Sequence, residues 1–180
     1  MIIGIVHHPS TRPFLIDLLH SLKGVKYPVV IVNNGREYEH NFNHRVIQND
    51  HDGYELGALK LLKDRDDSVF LLQDTTEIKD QSIFDIANEY EGSIALCARF
   101  MSFLGKYRTE VINQIGIPIV DGKEHSITLE TEWTNQYIRN EPNFQFIQPL
   151  QDNPNREFKH GRLNMILEND YIKKYKGTWR

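Results

Sequence analysis

The sequence predicts an α/β domain built around a mostly parallel β-sheet. Short apolar runs alternate with segments of helical spacing through the first hundred residues, and this alternation is typical of βαβ units. Residues 69–72 are apolar throughout, as expected of a strand that is buried on both faces. A chain of 180 residues is long enough for one domain with its own hydrophobic core.

The predicted strands are short segments that are mostly apolar. They lie at residues 2–6, 27–32, 45–48, 69–72, 94–98 and 144–147. The first helix starts at residues 10–13, where hydroxyl side chains precede an early proline, and it ends at Gly24. Further helices are predicted at residues 53–63, 81–90, 109–115 and 127–139, where apolar residues recur at helical spacing.

The pattern changes after residue 150. Residues 151–157 are polar and contain a proline, which indicates a loop or linker, and residues 164–179 resemble a helix followed by a basic segment. We therefore divide the chain into a main domain at residues 1–150 and a C-terminal linker, helix and basic tail at residues 151–180. The basic tail either contacts an acidic ligand or is a solvated terminus, and the solvated terminus is favoured.

Composition limits the classes of partner. The net charge of −4 gives no electrostatic reason to expect broad binding to nucleic acid or to anionic membranes. A single cysteine, Cys97, cannot form an internal disulfide and suits a reducing compartment. We find neither a signal-peptide pattern nor an apolar run long enough to span a bilayer. These features predict a cytoplasmic protein with no membrane span.

Asp74 stands after Gln73 at the end of the strand predicted at residues 69–72. Ligands of open α/β sheets bind outside the carboxyl ends of the strands. A carboxylate at that edge can hold Mn²⁺ or Mg²⁺ together with substrate phosphates. The alternative is that Asp74 caps a turn or helix, since Asp and Thr both favour such positions.

Two other segments are candidates for donor binding. Asn33 and Asn34 end the second predicted strand, where side-chain amides can pair with a nucleobase, although Asn-Asn-Gly is also good turn chemistry. Asp52 precedes Gly53 and Gly57 at the start of a helix. The glycines would allow a ligand or another backbone to approach closely, and a helix N-terminus suits a diphosphate. Asp52 could equally be only the helix cap.

Acid–base and phosphate-binding candidates occur later in the chain. Glu130 and Glu132 flank Thr131 beside a tryptophan, and because they are two apart on a helix at most one of them faces a site. A carboxylate with a raised pKa can act as a general base, but exposed helical glutamates are far commoner. His160 could ligate a metal and Arg162 could bind a phosphate, unless the segment is only a surface turn. His8 ends the first strand at the edge where Asp74 is expected.

Taken in order, these motifs resemble those of a GT-A glycosyltransferase, family 2-like. The resemblance rests on the Arg-Pro helix, the strand ending in Asn-Asn-Gly, the Asp-Gly-Tyr-Glu-Leu-Gly-Ala helix and the strand ending in Leu-Gln-Asp-Thr. It implies a GT-A-like, Rossmann-related, three-layer fold at residues 1–150. It also implies inverting transfer of a sugar from a nucleotide-diphosphate donor to a hydroxyl acceptor, with Mn²⁺ or Mg²⁺ as cofactor.

The resemblance also assigns roles to the candidate residues. It implies a catalytic base at Glu130 or Glu132 and a metal site at Asp74 and His160. The implied donor-binding residues are His8, Asn33, Asn34, Asp52, Gly53, Gly57, Gln73, Asp74 and Arg162. The sequence departs from the family where Gln73-Asp74-Thr75 stands in place of two acids, and where Asn33 replaces an acidic residue.

Two other functions remain open. One is a binding protein that kept the fold without turnover, and the other is a nucleotidyltransferase, which also uses a metal carboxylate after a parallel strand. The expected acceptor is a glycan, a lipid-linked sugar, a protein or a modified base in DNA. The acceptor site is either completed by a second subunit of a homo-oligomer or occupied by a large molecule that docks from outside.

Overall fold

A computed structural model describes residues 1–35, 42–50, 53–96 and 103–176, apart from the side chain of Lys123. The strands are β1 (Ile2–His7), β2 (Val29–Asn33), β3 (Arg45–Gln48), β4 (Ser68–Gln73), β5 (Thr76–Ile78), β6 (Ile94–Ala95), β7 (Gly105–Arg108), β8 (Gln145–Phe146), β9 (Gln151–Lys159), β10 (Arg162–Glu168) and β11 (Ile172–Lys176). The helices are α1 (Arg12–Ser21), α2 (Tyr54–Leu62), α3 (Ser82–Glu89), α4 (Thr109–Ile115) and α5 (Gly122–Asn140), and a single 3₁₀ turn (Pro9–Thr11) precedes α1.

The main sheet has seven strands in the order β3-β2-β1-β4-β7-β6-β8. The first four are parallel to one another, whereas β7 is antiparallel to both β4 and β6. Ile5 of β1 is in register with Ile31 of β2 on one side and with Leu72 of β4 on the other. The carboxyl ends of β1, β2 and β4 therefore meet at one edge, which confirms the predicted mostly parallel sheet.

Helices cover both faces of this sheet and give it three layers. On one face, Leu15 and Leu18 of α1 and Phe84 of α3 are buried in a cluster with Ile5 and Phe70. On the other face, α2, α4 and α5 pack on the sheet through buried residues that include Leu59, Ile112 and Tyr137. Strands whose side chains are buried on both faces are apolar throughout, which is why β1 and β4 were recognisable in the sequence.

A second, antiparallel sheet follows the order β5-β11-β10-β9. It packs beside α1, where Phe14, Ile166 and Tyr175 form a small buried cluster. The loop predicted at residues 151–157 and the helix predicted within residues 164–179 are both wrong, because these segments form β9, β10 and β11. Nor is the basic segment a solvated tail, since Lys174 and Tyr175 are buried.

In β10 the alternation of apolar and polar residues that usually identifies a strand does not match the alternation of buried and exposed positions. Asn164 and Ile166 are buried there, whereas Leu163 and Met165 are exposed. A polar residue therefore lies inside and apolar residues lie outside, so the usual period-two pattern of polarity does not appear. The predictions also omitted β5 and β7 and began α5 five residues too late. Cys97 and Asp52 lie outside the described residues.

None of the helices in the described ranges combines the length and the apolar character needed to cross a membrane.

Candidate functional site

A cavity of about 470 Å³ opens at the edge where β1, β2 and β4 end. His8 follows β1, Asn34 follows β2 and Asp74 follows β4, and all three line the cavity. The first turn of α2 contributes Glu55, and α5 contributes Glu130. The cavity therefore lies where the doubly wound α/β folds place their ligands, and it is bounded by elements from distant parts of the chain.

Asp74 is held firmly at this edge. Its Oδ2 atom lies 2.8 Å from Nδ1 of His7 and accepts a hydrogen bond from the backbone N–H of His8 at 3.0 Å. The Thr11 hydroxyl donates to the same oxygen. The Asp74 backbone N–H donates to Val6 O at 3.0 Å. Asp74 thus anchors the loop between β1 and α1, which agrees with the turn-stabilising alternative, while its side chain still forms part of the cavity wall.

Glu130 and Glu55 form a carboxyl pair in the cavity. Glu130 is partly buried on α5 and hydrogen-bonds to Glu55. Burial and the charge of Glu55 raise the pKa of Glu130 to about 7, although the Ser126 hydroxyl, which donates at 3.1 Å, opposes the shift. A carboxyl group with such a pKa exchanges its proton near neutral pH, so the cavity holds a group suited to acid–base chemistry.

Several neighbours of Glu55 favour its charged form, but burial outweighs them and its pKa is raised. Burial raises the pKa of Glu55, but the Gln73 amide donates to its Oε1 atom at 2.6 Å and the positive charge of Lys174 acts in the opposite direction. Lys174 comes from β11 and is only 4% exposed. The negative charge of nearby Asp74 adds to the effect of burial.

His8 and Asn34 also line the cavity, as expected of donor-binding residues. The His8 ring is exposed, and its Nδ1 atom lies 2.7 Å from the Ser10 hydroxyl oxygen. The Asn34 amide donates to His7 O at 3.0 Å, and its Oδ1 atom accepts from Asn49 at 2.6 Å. Asn34 is therefore oriented by its own neighbours before any ligand arrives.

Three predicted donor-binding residues face other parts of the protein. Asn33 is fully buried, and its amide donates to Gln48 Oε1 at 2.9 Å, so it joins β2 to β3. A Cβ atom at Gly53 would lie 2.6 Å from Val120, and one at Gly57 would lie 2.4 Å from Asn49. The two glycines therefore allow Val120 and Asn49 to pack closely against the backbone. Neither glycine lines the cavity, and nor does Asn33.

The candidates in the second half of the chain lie in different parts of the structure. Glu132 is exposed on α5 and does not line the cavity, so of the two predicted bases only Glu130 faces it. Nε2 of His160 lies 2.7 Å from Asp17 Oδ2, and its ring packs edge-on against Phe14 with centroids 4.6 Å apart. Arg162 belongs to β10, where it is in register with Lys159.

The predicted metal pair does not come together. His160 is engaged with Asp17 on α1, whereas the Oδ2 atom of Asp74 already has three hydrogen-bond partners. Within the described ranges, no group of three or more His, Cys, Asp or Glu side chains is arranged to hold a metal ion. The donor set therefore does not fit a cation bound by Asp74 and His160.

Sequence reasoning missed Glu55 and Lys174. Glu55 stands in the Asp-Gly-Tyr-Glu segment, where the predictions concerned Asp52, the glycines and the helix N-terminus, and Lys174 stands in the segment interpreted as a tail. A carboxylate in the first turn of a helix that starts at the ligand edge is a usable signal. No comparable signal marks Lys174, because its burial depends on the pairing of β11 with β5.

Neither the protein-family models nor the curated proteins include a match to this chain.

Proposed function

We propose that the chain is a GT-A-type glycosyltransferase that moves a sugar from a nucleotide-diphosphate donor to a hydroxyl acceptor with inversion. The observation that carries the proposal is the position of Glu130. It lies in the cavity at the carboxyl ends of the parallel strands, and its pKa is raised to about 7. A general base works best when its pKa is close to the pH at which the enzyme operates.

In the proposed reaction Glu130 takes the proton of the acceptor hydroxyl. The hydroxyl oxygen then forms a bond to the anomeric carbon of the sugar, while the bond from that carbon to the diphosphate oxygen breaks. Attack opposite the leaving group inverts the configuration of the anomeric carbon. The products are the glycosylated acceptor, a nucleoside diphosphate and a proton, which Glu130 passes to solvent.

The donor side is assigned to the edge formed by β1 and β2. Asn34 and His8 present polar groups there, and Tyr54 adds an aromatic ring whose centroid lies 6.5 Å from that of His8. An aromatic surface beside amide and imidazole groups suits a nucleoside, which offers one flat face and several hydrogen-bonding atoms. Asn33, Gly53 and Gly57 have no part in this proposal because they contact other residues of the protein.

The proposal includes no metal step, because the predicted ligand pair does not fit. Asp74 acts instead as the anchor of the loop that carries His8. Mn²⁺ and Mg²⁺ are treated as variables of the assay, so that a requirement for either cation would appear directly in the measured rates.

The test is a matrix of nucleotide sugars and acceptors, with and without Mn²⁺, in which the release of nucleoside diphosphate is measured. The acceptors are simple saccharides and an oligonucleotide with hydroxymethylated bases. Acceptor-dependent release of nucleoside diphosphate supports the proposal. Release of pyrophosphate from a nucleoside triphosphate would show a nucleotidyltransferase instead.

One observation favours a second candidate, a sugar-binding protein without turnover. Of the residues that the structure describes, those lining the cavity include no lysine or arginine that could neutralise a diphosphate. A neutral saccharide would fit such a lining better than a doubly charged leaving group. Calorimetric binding of a saccharide, without transfer from any donor in the matrix, would establish this candidate and reject the first.

A further inference from the structure

Glu55 lies within hydrogen-bonding reach of the proposed base, although nothing in the sequence motifs assigns it a role. We propose that Glu55 is a positioning residue that holds Glu130 through a shared proton, with Lys174 of the second sheet as its counter-charge. The inference rests on the proposed function, because it gives the general base a partner that sets its orientation and its proton affinity.

The contact between Glu55 and Glu130 requires a proton between the two carboxyl groups. An ionised carboxylate only accepts hydrogen bonds, so a hydrogen bond between Glu55 and Glu130 requires one of them to be protonated. Two ionised carboxylates in hydrogen-bonding contact would also repel each other. In the resting state the pair therefore carries one proton and one negative charge.

Each carboxyl group of the pair has its own hydrogen-bond donors. Glu55 accepts from the Gln73 amide at 2.6 Å, from its own backbone N–H, and lies in the field of Lys174. Glu130 accepts a hydrogen bond from the Ser126 hydroxyl at 3.1 Å, besides its bond with Glu55. These contacts favour the charged form of Glu55, but burial outweighs them and raises its pKa, as it does for Glu130, so the two carboxyl groups share one proton.

The positive charge near Glu55 comes from Lys174 of β11. Lys174 is paired with Thr76 of β5, and the backbone N–H of Tyr175 donates to Thr75 O at 2.8 Å. β11 is thereby fixed to the segment that directly follows Asp74. A buried cation is stable only with an opposite charge nearby, and Glu55 meets that requirement. Among the described residues that line the cavity, the other titratable groups are His7, His8, Tyr54 and Asp74.

This arrangement explains how the base is kept ready for use. Burial and the neighbouring Glu55 carboxyl raise the pKa of Glu130 to about 7, so Glu130 loses its proton only near that pH and is a stronger base once the proton has left. The hydrogen bond also limits the side-chain rotamers of Glu130, which lines the cavity. The second sheet would then contribute to catalysis through Lys174 without contacting substrate.

The test is a titration of the glutamate carboxyl groups by ¹³C NMR, in the wild-type chain and in Glu55→Gln. We expect the Glu130 signal to titrate near 7 in the wild type and about one pH unit lower or more in the variant, since the neighbouring negative charge is removed. Lys174→Met should raise the pKa values of the carboxyl pair, because it removes a nearby positive charge. Glu124→Gln, which changes an exposed residue of α5, is the matched control.

The outcomes separate this inference from the proposed function. The NMR titration needs no substrate, so it remains decisive even if no donor is turned over. An unchanged Glu130 titration in folded Glu55→Gln would overturn the inference. If transfer is found, the acidic limb of the kcat profile should move to lower pH in Glu55→Gln while KM for the donor is unchanged. Should Lys174→Met fail to fold, Gln73→Leu provides the second test, because it also weakens the stabilisation of the Glu55 charge.

Discussion

The hydroxyl oxygen of Tyr137 accepts a hydrogen bond from the backbone N–H of Arg108 at 2.7 Å. The same oxygen lies 2.7 Å from the Ser93 hydroxyl, which donates to Glu141 Oε2 at 2.8 Å. This buried chain of hydrogen bonds joins α5 to β7 and to the residue before β6. Because Glu130 is on the same helix, the network fixes the position of the proposed base relative to the sheet.

Replacing Tyr137 by Phe should therefore destabilise the protein by about 1–3 kcal/mol, because it leaves the buried Arg108 N–H without its acceptor. Urea denaturation measures the free energy of unfolding. The matched control is Tyr90→Phe, since the Tyr90 hydroxyl donates to Asn143 O at 2.8 Å in an exposed position. Equal losses in the two variants would contradict the special role of the buried network.

The raised pKa of Glu130 predicts a pH dependence of stability. The group ionises with a pKa of about 7 when folded, compared with 4.5 for an unperturbed glutamate. Its favourable contribution is complete below pH 4.5 and is lost as the pH rises through 7. The loss amounts to at most about 3 kcal/mol.

Glu130→Gln should remove this dependence, because an amide does not ionise. The variant should gain stability relative to the wild type as the pH is raised from 5 to roughly 8, which thermal unfolding over that range will show. Glu124→Gln serves as the exposed control. If the stability of the wild type and of Glu130→Gln changed with pH in the same way, the pKa of Glu130 in the folded protein would not be raised.

The anchoring role of Asp74 predicts a large structural effect of its removal. Asp74→Ala would leave His7, His8 and Thr11 without their common acceptor, at a cost of about 2–4 kcal/mol. Asp80→Ala removes an exposed carboxylate that accepts from Ser82 at 2.9 Å and should have a much smaller effect. Thermal unfolding compares the two variants.

The same Asp74 variant tests the metal prediction. If Mn²⁺ raises the Tm of the wild type, and folded Asp74→Ala loses that rise, then Asp74 is a metal ligand as the sequence suggested. The anchoring role predicts instead that Mn²⁺ affects the two proteins alike.

Two glycines with positive φ should respond differently to substitution. Gly105 has φ +143°, and a Cβ atom there would lie 1.9 Å from Ile94 O, so Gly105→Ala should disrupt the pairing of β6 with β7. Gly161 has φ +74° with open space around it, so Gly161→Ala should cost only about 1 kcal/mol. Denaturation of both variants tests the difference. Similar small losses would show that β6 and β7 can move apart.

The sequence predicted most of the first half of the fold because its elements have regular patterns. β3 was predicted at its observed bounds and so was α4, which ends at Gly116 with φ +74°. β1, β2 and β4 were found within two residues at either end. Their apolar runs reflect burial on both faces, and this burial depends little on the details of the surrounding fold.

The second sheet could not be predicted in the same way. Its buried positions include Asn164 and Lys174, whereas Leu163 and Phe158 are exposed, so polarity does not report burial there. The main division of the chain at residue 150 does coincide with the start of β9 at Gln151, but the strands beyond it pack on α1 and extend from β5.

The candidate site was predicted in part. Five predicted residues line the cavity: His8, Asn34, Gln73, Asp74 and Glu130. The first four lie at the carboxyl ends of β1, β2 and β4, and the carboxyl ends of parallel strands share one edge of the sheet. The choice between Glu130 and Glu132 required the helix orientation. The partners Glu55 and Lys174 required contacts among α2, α5 and β11 that no local pattern encodes. The cytoplasmic location and the homo-oligomer stay predictions.

The most direct measurement of the central claim is the pH dependence of sugar transfer by the wild type and by Glu130→Gln, at saturating donor. With Glu130 as the general base, wild-type kcat should rise with pH through about 7. Glu130→Gln should lose transfer by roughly a hundredfold or more, with unchanged affinity for the donor. A folded Glu130→Gln that transfers sugar at the wild-type rate would contradict the assignment.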